Sequence, residues 1–298
     1  MARKKVLLIV NPCAGQKKAN RHLLNIVNIF NRAKCEVITY ITGKAGDGED
    51  AAKHYAPKVD LVVCCGGDGT FNETMSGILK SGTEVPIGYI PAGSTNDFAT
   101  SMNISTKVMQ ATRDIVEGTP TLLDVGLFNE RYFSYVASFG VFTKTSYTTP
   151  QDLKNALGHT AYVLEGLQEL TQFKSHHLRF EFPDGQVIED DFLFGAISNS
   201  TSVGGVLNLS PDRVDLHDGK LEVILFREPK SLKDLTDCAK AIQKQTYDCD
   251  MMTFLKTEEV RITAPADLHW SLDGEREEGC TDITIKCLHH KLAVYQKN

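Results

Sequence analysis

The first 120 residues alternate short apolar runs with amphipathic segments. The apolar runs predict four strands: Val6–Val10, Glu36–Ile41, Leu61–Cys65 and Ile87–Ile90. Residues 18–32, 46–56 and 71–79 between them predict helices, and in the first of these Leu23, Ile26, Val27 and Phe30 share one face. This alternation is typical of a parallel sheet with helices on its faces, so the first part of the chain is predicted to be an α/β domain.

Beyond Leu122 the pattern changes to short alternating strands with turns near Asn129 and Asp184. More strands are predicted at Leu221–Phe226, Glu259–Ala264, Leu268–Leu272 and Thr281–Cys287. Two helices interrupt them, one over 150–173 that begins at Pro150 and one over 232–244 with Ser231 as N-cap. We therefore predict an α/β domain at 1–124 and a mostly antiparallel, β-sandwich-like domain at 125–287. A return of residues 288–298 to the first domain stays open.

Composition and charge narrow the classes of protein. The net charge of −6 argues against non-specific nucleic-acid binding. The apolar run after the basic N-terminus is too short for a secretory signal, and no stretch approaches the roughly 18 apolar residues of a membrane span. None of the eight cysteines forms a CxxC pair, so reduced thiols and a cytoplasmic location are expected.

Three loops follow predicted parallel strands: NPCAG (11–15), GGDGT (66–70) and PAGSTND (91–97). Ligands of parallel sheets bind beyond the carboxyl ends of the strands, where these loops converge. GGDGT matches neither the P-loop nor GxGxxG, but a helix that starts near Thr70 would offer free N–H groups to an anion. GGDGT alone could be a tight turn with an aspartate cap. Together the three loops indicate a nucleotide site.

Two acidic stretches lie in the second half. Asp212, Asp215 and Asp218 recur at every third residue, a spacing that excludes an EF-hand and leaves a solvated acidic turn or a metal loop. In HWSLDGEREEG, Asp273-Gly274 suits a hairpin turn, and the following acidic residues could be a solvated charge run.

Other sites have less support. The pairs His176-His177 and His289-His290 are expected to point to opposite strand faces, and no third ligand is evident, so zinc is not predicted. Without a GxSxG elbow, a hydrolase has no support.

The segments NPCAG, GGDGTFNE and GSTNDFA, in this order and at these distances, resemble the diacylglycerol kinase catalytic family, above all its soluble bacterial members. The resemblance extends to GDG (46–48), to residues 145–167 and to PDRVDLHDGKLEV, and thus covers essentially the whole chain. GGDGT alone would be less specific, because NAD kinases and phosphofructokinases carry similar loops.

The resemblance implies an ATP site in the first domain, with Thr42 near the adenosine and Ser94, often threonine in the family, near the phosphates. Its residues would be Asn11, Pro12, Cys13, Ala14, Gly15, Thr42, Gly66, Gly67, Asp68, Gly69, Thr70, Phe71, Asn72, Glu73, Ser94 and Asn96. It also implies Mg²⁺ held by Asp215, Asp218 and the carbonyl of Lys220, with Asp68 linked to the ion through water. Glu275 would be the catalytic base and Asp273 a supporting acidic residue.

We therefore expect an ATP- and Mg²⁺-dependent lipid kinase that phosphorylates a lipid hydroxyl, with diacylglycerol as first choice and phosphatidic acid as product. Sphingoid bases, phosphatidylglycerol and undecaprenol-like alcohols stay open as acceptors, as do an NAD-kinase-like enzyme and a non-catalytic nucleotide- or lipid-binding sensor. The expected partner is a lipid substrate, reached by peripheral and transient membrane contact, with Lys154 and Lys174 as candidate contacts. The helix over 150–173 would pack in the core or line a lipid cleft. A homodimer stays open.

Overall fold

The computed structural model describes residues 3–140, 174–203, 207–247 and 249–297. It divides into two compact units, one of Met1–Val125 with His289–Asn298 and the other of Gly126–Leu288. The predicted helix at 150–173 and the similar segment at 145–167 lie outside the described residues. Within the described residues, no helix is both long and apolar enough to cross a membrane.

The first unit is built on a parallel sheet. Its strands are β1 (Lys4–Val10), β2 (Cys35–Ile41), β3 (Leu61–Gly66), β4 (Ile87–Pro91), the first part of β5 (Thr119–Phe128) and the end of the last strand, Asp282–Gln296. Its helices are α1 (Lys18–Arg32), α2 (Asp47–Tyr55), α3 (Asp68–Ser81), α4 (Asp97–Ser101) and α5 (Val108–Glu117). The strand order is β2-β1-β3-β4, followed by the last strand, which pairs with β4 in parallel at Val294 and Ile87.

The burial of the strands explains this arrangement. Every residue of β3 and β4 is buried, as expected for strands covered on both faces. One core cluster joins the sheet to α1 and α5 through side chains such as Ile26, Phe30 and Ile115. The predicted α/β class is confirmed, whereas α4 and α5 were not predicted from the sequence.

The second unit is mostly antiparallel. Its strands are β6 (Arg131–Phe133), β7 (Val136–Gly140), β8 (His176–Glu181), β9 (Val187–Ser198), β10 (Ser202–Val203), β11 (Leu207–Asn208), β12 (Leu221–Arg227), β13 (Met252–Thr257), β14 (Glu259–Thr263), β15 (Trp270–Leu272), β16 (Glu275–Glu277) and the first part of β17 (Asp282–Gln296). Strands β16-β15-β7-β9-β8-β14-β17 are neighbours in that order, and β12 pairs with β9 and β13. The sandwich-like class is confirmed.

The core of this unit is aromatic. Trp270 packs against Phe139 and Phe128 at ring-centroid distances of 4.8 and 5.3 Å. Strand β13 was not predicted. Helix α6 (Leu232–Gln243) was predicted, and its N-cap is confirmed because the Ser231 hydroxyl accepts the N–H of Asp234 at 3.2 Å.

Candidate active site

The three glycine-containing loops of the first unit come together at one edge of the parallel sheet. They follow β1, β3 and β4, which are consecutive neighbours. The backbone joins them directly: Asn11 N–H donates to the carbonyl of Cys65 at 2.9 Å, and Ala92 N–H donates to Gly66 at 2.7 Å. The predicted convergence of the loops therefore follows from strand order alone.

Glycine lets these backbones approach closely. Gly15 has φ +47°, and a Cβ atom there would clash with the carbonyl oxygen of Ala92. A Cβ atom on Gly93 would lie 2.7 Å from Cα of Gly67, so the loop after β4 does not tolerate a side chain at this contact. Backbone without side chains is the feature that lets amide groups surround a phosphate group.

Helix α3 begins at Asp68, earlier than the predicted helix at 71–79. Its first intrahelical bond runs from the N–H of Phe71 to the carbonyl of Gly67, so the amides of Gly69 and Thr70 precede the regular helical bonding. The Thr70 hydroxyl accepts the side-chain amide of Asn11 at 2.9 Å. A helix N-terminus of this kind favours an anion through its free N–H groups and its dipole.

Asp68 caps a helix other than its own. Its two carboxylate oxygens accept the backbone N–H groups of Asp97 at 3.1 Å and Phe98 at 3.3 Å, in the first turn of α4. The side chain is buried, and the bonds tie the loop after β3 to the loop after β4. The Asp68 carboxylate is thus held against the first turn of α4.

The loop after β4 is shaped by Asn96. Its side chain exchanges two hydrogen bonds with the backbone of Gly93, at 2.9 and 3.0 Å, and its own φ is +55°. Asparagine adopts this left-handed conformation more readily than most residues. Asn96 is therefore buried and structural, whereas the neighbouring Ser94 is exposed and free to meet a ligand.

Two predicted ATP residues have other contacts in the structure. The Phe71 side chain is completely buried and stacks on Phe98 at 4.2 Å, so it packs in the core of the unit. The Glu73 carboxylate accepts the N–H groups of Gly46 and Gly48 at 2.8 and 3.1 Å. These bonds join the GDG segment (46–48) to the GGDGTFNE segment (66–73).

Thr42 and Cys13 are two further members of the predicted ATP set. Thr42 is buried at the end of β2, where its N–H donates to the carbonyl of Val10 at 2.9 Å. Cys13 is exposed, and its N–H donates to the side chain of Asn11 at 2.9 Å. All eight cysteines are free thiols.

The acidic loop of the second unit forms two successive turns. Asp215 accepts the N–H of His217, and Asp218 accepts the N–H of Lys220, each at 3.0 Å. The two exposed carboxylates and the nearby carbonyl of Lys220 are hard oxygen donors, the set that Mg²⁺ prefers, and water can reach them to complete a shell. The donor set thus fits magnesium.

An ion pair between the buried Glu222 and Lys256 contacts this loop, and it was not predicted from the sequence. Glu222 has no exposed side-chain surface, and burial raises the pKa of its carboxyl group to about 7. The ammonium group of Lys256 lies 3.3 Å from Glu222 and 2.7 Å from Asp218. The one sequence signal for Glu222 is a charged residue within the continuous apolar run of β12.

Asp273 holds a hairpin in the second unit. The predicted turn is confirmed, because Leu272 and Glu275 are paired and both Asp273 and Gly274 have positive φ, as a type I′ turn requires. The buried Asp273 carboxylate accepts four hydrogen bonds, from the N–H and hydroxyl of Ser134 and from two further amides of residues 135 and 136, at 2.6–3.1 Å. Asp273 is therefore a positioning residue for the turn.

Glu275 follows this turn as the first residue of β16. Half of its side-chain surface is exposed, and Arg131 lies 3.7 Å away. Arg131 also pairs with Glu277 on the same strand. The hairpin thus holds the accessible carboxylate of Glu275 two residues after the buried Asp273.

Comparison with known proteins agrees with this geometry. The model of the diacylglycerol kinase catalytic domain matches residues 5–128, and that of the YegS C-terminal NAD kinase beta sandwich-like domain matches residues 136–296. Proteins named diacylglycerol kinase are similar over most of the chain. That of Bacillus subtilis (strain 168) is 29% identical over 91% of this chain and 90% of its own, and that of Staphylococcus saprophyticus is 31% identical over 92% and 89%.

The chain belongs to the diacylglycerol kinase family. A crystal structure of a diacylglycerol kinase from Bacillus anthracis (strain Sterne) superposes with a TM-score of 0.73 over 99% of this chain and 98% of that one; at 21% identity this bears on the fold. The resemblance carried by the glycine loops is confirmed. The protein is an ATP-dependent phosphotransferase with an alcohol as acceptor.

Proposed function

We propose that this protein is an ATP- and Mg²⁺-dependent lipid kinase that converts diacylglycerol to phosphatidic acid. The observation that carries the proposal is the close backbone contact of three glycine loops around the start of α3, in a chain whose relatives are named diacylglycerol kinase. The amides of these loops and the exposed Ser94 would bind the ATP phosphates.

Glu275 is the base in this proposal. Its carboxylate accepts the proton of the lipid hydroxyl while the hydroxyl oxygen forms a bond to the γ-phosphorus, and the bond from that phosphorus to the bridging oxygen of ADP breaks. The turn held by Asp273 fixes the position of Glu275, and the partial exposure of Glu275 gives a substrate access.

Asp215, Asp218 and the carbonyl of Lys220 would hold Mg²⁺. Such an ion supplies positive charge that offsets charge on phosphoryl oxygens. Membrane contact would be peripheral, because the lipid acceptor lies in a bilayer.

A labelled-ATP assay tests the proposal. The purified chain is given diacylglycerol, a sphingoid base, phosphatidylglycerol, an undecaprenol-like alcohol and NAD in separate mixed-micelle reactions, with and without Mg²⁺. We expect Mg²⁺-dependent labelling of diacylglycerol. Labelling of another lipid alone would change the substrate, and ATP binding without any turnover would indicate a sensor.

An NAD-kinase-like activity is the second candidate, because the matched C-terminal domain is described as NAD kinase-like. The same assay separates the two. Labelled NADP in the absence of any labelled lipid would overturn the lipid kinase proposal.

A further inference from the structure

The structure places two histidines and a buried aspartate together in the first unit. Asp124 lies on β5, and His289 and His290 lie on β17. Their candidate ligand atoms, one from each residue, all lie within 4.8 Å of one another. The site shares no residue with the glycine loops or the acidic loop described above.

The pairing of the two histidines contradicts the sequence prediction. Neighbouring strand residues should point to opposite faces, but the His289 and His290 rings are stacked, with centroids 3.7 Å apart and 24° between planes. His290 has φ +50°, a left-handed conformation that breaks the regular alternation of β17. Both imidazoles are thereby placed on one side of the strand.

Asp124 supplies the anionic member of the cluster. Its carboxylate is fully buried, lies 3.0 Å from Nδ1 of His289, and accepts the backbone N–H of His290 at 2.7 Å. That backbone bond orients the carboxylate in the way that outer hydrogen bonds orient metal ligands. The aspartate is thus held in place before any ion arrives.

The cluster is accessible to an ion. A cavity of about 440 Å³ lies against it, lined in part by both histidines, Leu122, Glu84 and Lys291. The charges of Glu84 and Lys291 are opposite, so neither sign dominates the approach. The His289 side chain is 53% exposed, which leaves its ring room to rotate towards a ligand.

We propose that Asp124, His289 and His290 bind a zinc ion, with water as the fourth ligand. Zinc is favoured over magnesium because imidazole nitrogen is a ligand of Zn²⁺, whereas Mg²⁺ takes oxygen ligands. Tetrahedral zinc with bonds of about 2.0–2.1 Å needs ligand atoms about 3.4 Å apart, so any two ligand atoms that are now near the 4.8 Å limit must move closer when the ion binds. The ion would join β5 to the last part of β17.

Binding is tested by titrating the EDTA-treated full chain with Zn²⁺ in a calorimeter, and with Co²⁺ as a spectroscopic probe. We expect one Zn²⁺ per chain at this site, and a visible Co²⁺ spectrum without the thiolate bands that cysteine ligation would give. His290→Asn removes an imidazole but retains a residue that accepts positive φ, so the strand conformation is preserved. Zinc binding should weaken at least about tenfold in this variant and in His289→Gln.

Two controls separate this site from others on the chain. His177→Ala removes an exposed histidine that lies beside Asp191 and Glu189, and Asp218→Asn alters the acidic loop. Both should bind zinc as the unaltered chain does. Thermal unfolding in EDTA should be the same for His290→Asn and the unaltered chain, whereas added zinc should stabilise only the latter. Zinc binding that persists in both histidine variants, or that disappears in Asp218→Asn, would overturn the proposal.

Discussion

The carboxylate of Asp68 accepts the backbone N–H of Phe98, 30 residues farther along the chain, at 3.3 Å. With the second bond from Asp97, it caps α4 and fixes the loop after β4 against the loop after β3. An aspartate in a glycine-rich turn thus organises a neighbouring loop, and its effect on that loop can be measured separately from turnover.

Replacing Asp68 with alanine should loosen α4. Loss of a helix cap costs about 1–2 kcal/mol, which corresponds to roughly 5- to 30-fold faster amide exchange where local opening governs exchange. Hydrogen exchange of a peptide that covers residues 97–101 measures this effect. Asp47→Ala is the matched control, since Asp47 also accepts two backbone N–H groups, from Gly43 and Lys44. It should leave 97–101 unchanged, and equal exchange in both variants would contradict the capping role.

Glu275→Gln should lower turnover by about 10²–10⁴-fold, because an amide cannot accept the proton of the attacking hydroxyl. ATP affinity should change little. Glu277→Gln is the control, because Glu277 lies on the same strand and pairs with the same Arg131. Steady-state kinetics on both variants tests this, and an equal loss in the two would remove Glu275 from the role of base.

Asp273→Asn should destabilise the second unit by about 2–4 kcal/mol. The Asp273 carboxylate accepts hydrogen bonds from three backbone N–H groups and one hydroxyl, and the amide nitrogen of an asparagine could not accept any of them. The only tryptophan, Trp270, is buried beside this turn and reports unfolding of this unit by fluorescence. Asp184→Asn is the control: this exposed turn aspartate accepts the backbone N–H of Gln186, and its replacement should lower the free energy of unfolding by less than about 1 kcal/mol. Similar denaturation midpoints for the two variants would be inconsistent with the positioning role.

Lys256→Met should destabilise the same unit by about 2–3 kcal/mol, because Glu222 would be left buried without its cation. The double variant Glu222→Gln/Lys256→Met should recover most of that loss, since no buried charge remains. Denaturation followed by Trp270 fluorescence gives the four corners of the cycle. Additive effects of the two substitutions would show that the pair is not coupled.

The thiol of Cys249 should be alkylated with a midpoint near pH 7. A hydrogen bond from the Cys238 thiol stabilises the thiolate and lowers the pKa of Cys249 to about 7, while the same bond and burial raise the pKa of Cys238. The thiolate fraction, and hence the rate, therefore rises as pH increases through 7. Peptide-level mass spectrometry after iodoacetamide treatment measures it. In Cys238→Ala the midpoint should move to higher pH, and an unchanged midpoint would rule out the thiol pair as its cause.

Much of the fold followed from local patterns. Apolar runs and their spacing predicted β1 to β4 and the change to antiparallel strands, because apolar residues repeat along the chain with the period of a strand or of a helix. The loops at 11–15, 66–70 and 91–97 could be placed at one edge, since parallel strands end on the same side. The turn at Asp273-Gly274 was equally local.

Other features have no local sequence pattern from which they could be predicted. Helix α4 is only five residues long, and its capping carboxylate comes from Asp68, in another loop. Glu222 is a charged residue within an apolar strand, and no sequence pattern identifies Lys256 as its partner.

The two kinds of sheet, the glycine loops and the hairpin that carries Glu275 can be predicted from the amino-acid sequence. Contacts between distant polar groups depend on the folded chain: Asp273 contacts Ser134, 139 residues away, and Asp124 contacts His289, 165 residues away. The positive φ of His290 likewise places the His289 and His290 rings on one side of β17. Periodicity sets the average direction of side chains, whereas such contacts depend on strand register and on a few residues with positive φ.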